Sequence, residues 1–126
     1  MTTTINSYEA ACVALGKDPN VRPDFSMLPE LQRNYFNELF ELDTIVEAKN
    51  NEGLEKPWNG LSRKYWPVFT KDSSSGSGWA YYVYVFWYTI TDAGARPFRS
   101  YEMMRETVDQ FFEKYVHILN YLNQKK

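Results

Sequence analysis

Spacing of the apolar residues divides the chain into three helical stretches and a central block of period two. SYEAACVAL (7–15) predicts a short helix, with Asn6 and Glu9 as a capping box, Ile5 stapled onto Ala10, and Gly16 as its left-handed stop. KDPNVRPDFS (17–26) has two prolines and no period, and reads as an ordered, extended connection. A second helix begins near Ser26, tolerates Pro29 in its first turn and ends before Gly53. Its apolar side is Leu28, Leu31, Tyr35, Leu39, Leu42, Ile45 and Val46, and its polar side is Arg33, Asn37, Glu38, Glu41 and Glu47.

From Lys64 the period becomes two. KYWPVFT (64–70) predicts a strand, and Pro67 places it at a sheet edge or breaks it there, because proline has no N–H for a ladder. KDSSSGSG (71–78) is a hairpin loop, and Trp79–Ile90 is a long aromatic strand. The turn TDAGA (91–95) returns a short strand, RPF (96–98), beside it. Ser100 caps a third helix with the stripe Tyr101, Met104, Val108, Phe111, Phe112, Tyr115, Ile118, Leu119 and Leu122. Arg105, Asp109, Glu113 and Lys114 lie opposite. The order α-α-β-β-β-α implies one α+β domain over residues 1–126. It is a three-stranded antiparallel meander packed with three helices, with the aromatic strand central.

That strand is aromatic on both faces. Its odd set (Trp79, Tyr81, Val83, Val85, Trp87) is expected to meet the helices. The even set is rich in tyrosine, which packs its ring while keeping its hydroxyl wet. Tyr82, Tyr84, Phe86 and Tyr88 are therefore a candidate interaction surface for a protein partner or a second copy of the chain. Burial of the same rings by helices on both sides, and base stacking, are the competing readings.

Composition narrows the classes. Of the 126 residues, 44% are hydrophobic, 24% charged and 17% aromatic, enough to bury a core without cross-links. The net charge of −2 lacks the basic surplus that phosphate neutralisation demands, which makes nucleic acid a less favoured partner. A single Cys12 rules out an internal disulfide and suits a reducing compartment. MTTTINSYEA lacks the basic start and apolar run of a signal peptide, and Trp79–Ile90 is too short to cross a membrane as a helix. A cytoplasmic location is expected.

Candidate chemistry is sparse. Arg96 and Arg99, beside the helix capped by Ser100, could hold a small anionic ligand or nucleotide at a helix N-terminus, or could pair with nearby acids such as Asp92 and Glu102. His117 stands alone, on the polar side of the last helix, without a nucleophile motif. Glu38 and Glu41 share a helix face but lack the Glu-x-x-His partner of a metal site, so a solvated acidic face is expected. SSSGSG has neither the lysine nor the context of a phosphate loop. No catalytic residue, metal or cofactor is indicated, and a non-enzymatic binding module is the leading expectation.

Three stretches form a recognisable series: ALGKDPNVRPDFSMLPELQRNYF, KPWNGLSRKYWPVF and GARPFRSYEMMRETVDQFFEKY. It resembles small proteins encoded by Bacteroidetes bacteria and their phages. In those, a GRDP…LP segment precedes a long helix, followed by a tryptophan turn, a KYYPWF-like strand and a GSRLCF-like strand before the last helix. Here Arg96-Pro97-Phe98 and YWPVF depart from those forms. The resemblance implies no catalytic residues; it implies a phage or mobile-element accessory protein that acts by binding, such as an inhibitor of host defence.

Overall fold

The computed structural model describes residues 5–58, 64–74, 76–86 and 97–124, excepting the side chains of 64, 82–86, 123 and 124. Within them the chain is α+β, with helices α1 (Tyr8–Leu15), α2 (Glu30–Asn51), α3 (Tyr101–Gln110) and α4 (Phe112–Gln124), and strands β1 (Lys64–Lys71) and β2 (Trp79–Phe86). Helix α1 lies on α2, α2 packs on α4, and the β-hairpin lies against α3 and α4. The helices thus bury much of their apolar surface on one another, not on the sheet alone as the sequence reading supposed.

The sheet corrects the expected meander. Its described ladder has two antiparallel strands, in register Pro67↔Val83 and Phe69↔Tyr81. Phe98, expected beside the aromatic strand, instead bridges Tyr65 of β1. Among the described residues the strand with a neighbour on each side is therefore β1, and β2 pairs with β1 alone; residues 87–90 of the expected aromatic strand lie outside the described residues. Alternation explains how β1 tolerates Pro67. Tyr65 directs its N–H and C=O away from β2, to Phe98 (2.9 and 2.8 Å), and Pro67, two residues on, turns its missing N–H to the same outer side.

The other edge of the Phe98 segment is held by one side chain. The carboxamide of Asn50, in the last turn of α2, donates to Pro97 O (2.8 Å) and accepts from Arg99 N (2.9 Å). Asn50 thus supplies the donor and acceptor that a third strand would have offered. Phe98, satisfied on both edges, is completely buried.

Caps set the helix ends. Ser7, and not Asn6, is the N-cap of α1, accepting from Ala10 N at 3.1 Å. Gly16 (φ 71°) closes α1 in the left-handed region as expected, with Lys17 N reaching Cys12 O at 2.8 Å. Helix α2 starts at Glu30, four residues later than expected at Ser26, because Asp24 and Phe25 fold the chain into a turn (Ser26 N to Asp24 Oδ1 2.9 Å; Leu28 N to Phe25 O 3.0 Å). The expected single last helix is two, broken at Phe111 (φ −111°, ψ 27°). The break serves two adjacent rings. Phe111 is buried under the Lys49 ammonium, while Phe112 meets Phe69 and Tyr81 of the hairpin, each at 6.3 Å between centroids.

One cluster of buried side chains joins Ile5, Tyr8, Ala11 and Cys12 to Leu42, Ile45 and Val46 of α2, to Phe98, and to Met104, Val108, Tyr115 and Ile118. Phe111 and Tyr115 are buried as their stripe implied, with Leu119 only partly so. Asn50→Ala should orphan Pro97 O and Arg99 N, and cost about 2–4 kcal/mol in a urea titration, one desolvation penalty for each group. A cost below about 0.5 kcal/mol, the level of an ordinary surface substitution, would refute the clamp.

Candidate functional site

Two surface features combine aromatic rings with polar groups. The first is a groove of about 400 Å³ between the N-terminal half of α2 and the C-terminal half of α4. Its lining includes Leu31, Asn34, Tyr35, Glu38, His117 and Tyr121. Tyr35 and Tyr121 stack across it, 4.4 Å between centroids and 22° apart in plane. Leu31 was expected on the buried stripe but is 63% exposed, and Met27 before it is 94% exposed.

Beside the groove, and sharing Asn37, Glu38 and His117 with its lining, runs a charge network that the sequence reading took for a solvated face. Lys114 Nζ lies 2.7 Å from Glu41 Oε1 and 3.4 Å from Glu38 Oε2. Arg22, from the extended connection, donates to Glu41 Oε2 (2.9 Å) and to Asn37 Oδ1 (3.2 Å). Its guanidinium also lies over the rings of Tyr8 (4.9 Å) and Phe40 (5.4 Å). Glu41 is thus shared by two cations from distant segments. His117, half exposed, stands 3.8 Å from both Glu38 and Glu113. No periodicity argument could have found this network, since Arg22 lies in a segment without period.

The second feature is the odd-numbered face of the hairpin, which meets the helices as expected at Phe69, Trp79 and Tyr81; the side chains of Val83 and Val85, and Trp87 altogether, lie outside the described residues. Phe69 packs on Tyr115 at 5.3 Å and on Tyr81 at 5.8 Å. Tyr81 Oη donates to Asp109 Oδ1 (2.7 Å), and burial followed by that carboxylate pushes its phenol well above the usual tyrosine range. Trp79 Nε1 donates to Asn120 Oδ1 (3.0 Å), and Lys71 Nζ lies 5.9 Å from the Trp79 ring centre. Trp79, Tyr81, Asp109 and Phe112 line an open hollow of about 450 Å³.

The sequence-predicted sites fare unevenly. Tyr82, Tyr84 and Phe86 lie at the even positions of β2, but their side chains, like Tyr88 and Arg96 altogether, lie outside the described residues. Trp66, paired with Tyr84 and so on the same face, is buried. Arg99 and Ser100 are engaged within the fold. Arg99 Nη2 donates to Glu52 O at the C-terminal end of α2 (2.5 Å), a favourable place for a cation. Ser100 Oγ caps α3 by accepting from Met103 N (3.1 Å). They line a cavity of about 210 Å³ in which three carboxylates (Glu52, Glu102, Glu106) face two cations (Lys49, Arg99), a balance unsuited to an anion. Burial pulls the Lys49 ammonium below the usual lysine range despite Glu52 and Glu106, and its Nζ donates to Gln110 Oε1 (3.0 Å).

Among the described residues, no group of three or more His, Cys, Asp or Glu side chains could hold a metal, and no helix is long and apolar enough to cross a membrane. Comparison with protein-family models, with curated proteins and with solved structures yields no match.

The network makes stability depend on acid. Burial pushes the Glu41 carboxyl up, but the hydrogen bonds and charges of Lys114 and Arg22 outweigh it and hold it below its ordinary value of 4.5. A depressed carboxylate adds stability above its unfolded-state pKa, and that stability is lost as pH falls through the folded one. Melting temperatures across the acid range should therefore fall more steeply for the wild type than for Glu41→Gln below about pH 4.5. Parallel curves would show that Glu41 carries no such linkage.

Proposed function

We propose that the protein is a non-enzymatic binding module whose main contact surface is the α2–α4 groove, and that its ligand is another protein. The observation that carries this reading is the juxtaposition, in one groove, of stacked Tyr35 and Tyr121 with the exposed Leu31. Tyrosines held rigid beside an exposed aliphatic anchor have the makeup of an interface hot spot, because little side-chain entropy remains to be lost on binding. Along the groove, the carboxamide of Asn34 and the amide N–H groups of Asn37 and Asn120, whose oxygens accept from Arg22 and Trp79, face a partner's main chain.

The tyrosine face of β2 (Tyr82, Tyr84, Phe86) and Tyr88 stay in the proposal as a second contact region. The burial of Trp66 on that face ranks it behind the groove. A cytoplasmic role as a phage or mobile-element accessory protein, such as an inhibitor of host defence, is part of the same proposal. It rests on the resemblance of the three sequence stretches to phage-encoded proteins. The partner is a host protein or a second copy of the chain.

Leu31→Asp places a charge in the groove without touching the core. Sedimentation velocity over a concentration series should show self-association of the wild type weakened by about tenfold or more in Leu31→Asp, at unchanged melting temperature. A wild type that stays monomeric throughout would assign the groove to a different protein. Quantitative capture from extracts of a Bacteroidetes host should then enrich the same proteins less on Leu31→Asp than on wild-type bait. Equal enrichment on both baits would overturn the assignment of the groove.

A further inference from the structure

The hollow between the hairpin and the α3–α4 junction carries a second inference, independent of the protein-binding groove. Its lining combines three rings, Trp79, Tyr81 and Phe112, with one carboxylate, Asp109. The indole of Trp79 is fixed by its bond to Asn120 Oδ1 at 3.0 Å, so its plane is set before any ligand arrives. Asp109 uses only Oδ1 in its bond to Tyr81 Oη. A carboxylate accepts about four hydrogen bonds, so Asp109 keeps lone pairs on both oxygens for a bidentate partner. Two cations stand nearby, outside the lining. Lys71 Nζ lies 5.9 Å from the Trp79 ring centre, and Arg105, one helical turn before Asp109, donates to Tyr101 Oη at 3.3 Å.

A carboxylate beside stacking rings, bordered by cations, matches no simple ion. An alkylammonium would be repelled by Lys71 and Arg105, and inorganic phosphate would be repelled by Asp109 and leave the rings unused. A purine nucleotide uses every group: the base stacks on an aromatic plane, its edge meets the carboxylate, and its phosphate meets the cations. The carboxylate selects the base. Guanine presents two adjacent donors, N1–H and the 2-amino group, whereas adenine presents one amino group beside an acceptor that a carboxylate repels. We propose that the hollow formed by Trp79, Tyr81, Phe112 and Asp109 binds a guanine mononucleotide, with Asp109 reading the base edge and Lys71 facing the phosphate. The net charge of −2 favours a free nucleotide over a polyanionic strand.

The test is an NMR titration of the Trp79 indole N–H, assigned by its disappearance in Trp79→Phe. The probes are guanosine 5′-monophosphate, adenosine 5′-monophosphate, guanosine, inorganic phosphate and a short single strand with one guanine. Guanosine monophosphate should shift the signal saturably and bind about tenfold tighter than adenosine monophosphate, the usual scale for one well-made bidentate contact. Asp109→Asn, in which Tyr81 can still donate to the amide oxygen, should keep its melting temperature and erase the preference for guanine. Lys71→Gln should weaken the nucleotide while leaving guanosine unchanged. Absence of a shift with guanosine monophosphate, equal affinity for the two nucleotides, or reproduction of the shift by phosphate alone would each overturn the site. Tighter binding of the single strand at physiological salt would overturn its assignment to a free nucleotide.

Discussion

Phe98 can be fully buried only because both edges of its backbone are hydrogen-bonded, one by Tyr65 of β1 and the other by the carboxamide of Asn50. An unpaired peptide group at that depth would cost about as much as a lost hydrogen bond, and Phe98 carries two such groups with further ones on its neighbours. The same few atoms join all layers. Asn50 belongs to α2, Tyr65 to the hairpin, and Ser100, two residues past Phe98, caps α3. The position of α3, and through it of the Asp109 hollow, follows from where Phe98 is pinned.

A second constraint acts at the middle of α2. Glu41 is shared by Arg22 and Lys114, so one partly buried carboxylate fastens the extended connection to α2 and α2 to α4. The stacked pair Tyr35–Tyr121 joins the same two helices within the groove itself. The protein thus separates the work of its polar residues. Asn50 and Glu41 fix the frame, and Asn34 and Asp109 line the two surface features.

The helices with strong period and clear caps were legible in the sequence: the Gly16 stop, the Ser100 cap and the stripe through Phe111 and Tyr115 all stand where spacing placed them. The hairpin and its helix-facing positions Phe69, Trp79 and Tyr81 were legible for the same reason. The sheet centre was not, because alternation gives the faces of a strand but not its neighbour, and Pro67 argued for an edge without saying which edge carries its missing N–H. The helix break at Phe111 was hidden because its two rings continue one stripe and only their different partners, Lys49 and the hairpin, separate them. The candidate sites were least legible. Arg22, Asn50 and Asp109 owe their roles to residues 19, 47 and 28 positions away, a separation that local pattern does not encode.

The clamp on Phe98 also fixes an order of events during synthesis. Helices and hairpins close within their own stretch of chain, so α1, α2 and the β1–β2 hairpin can form as they leave the ribosome. Asn50 must wait for Pro97, 47 residues further along the chain, and the outer edge of β1 must wait for Phe98. Until then the growing chain carries an unpaired strand edge and an unpaired amide side by side, the kind of surface on which nascent chains associate wrongly. The polar hairpin loop between β1 and β2, with Asp72, Ser74 and Ser77 exposed or half-exposed at its turn, borders that open edge while synthesis continues.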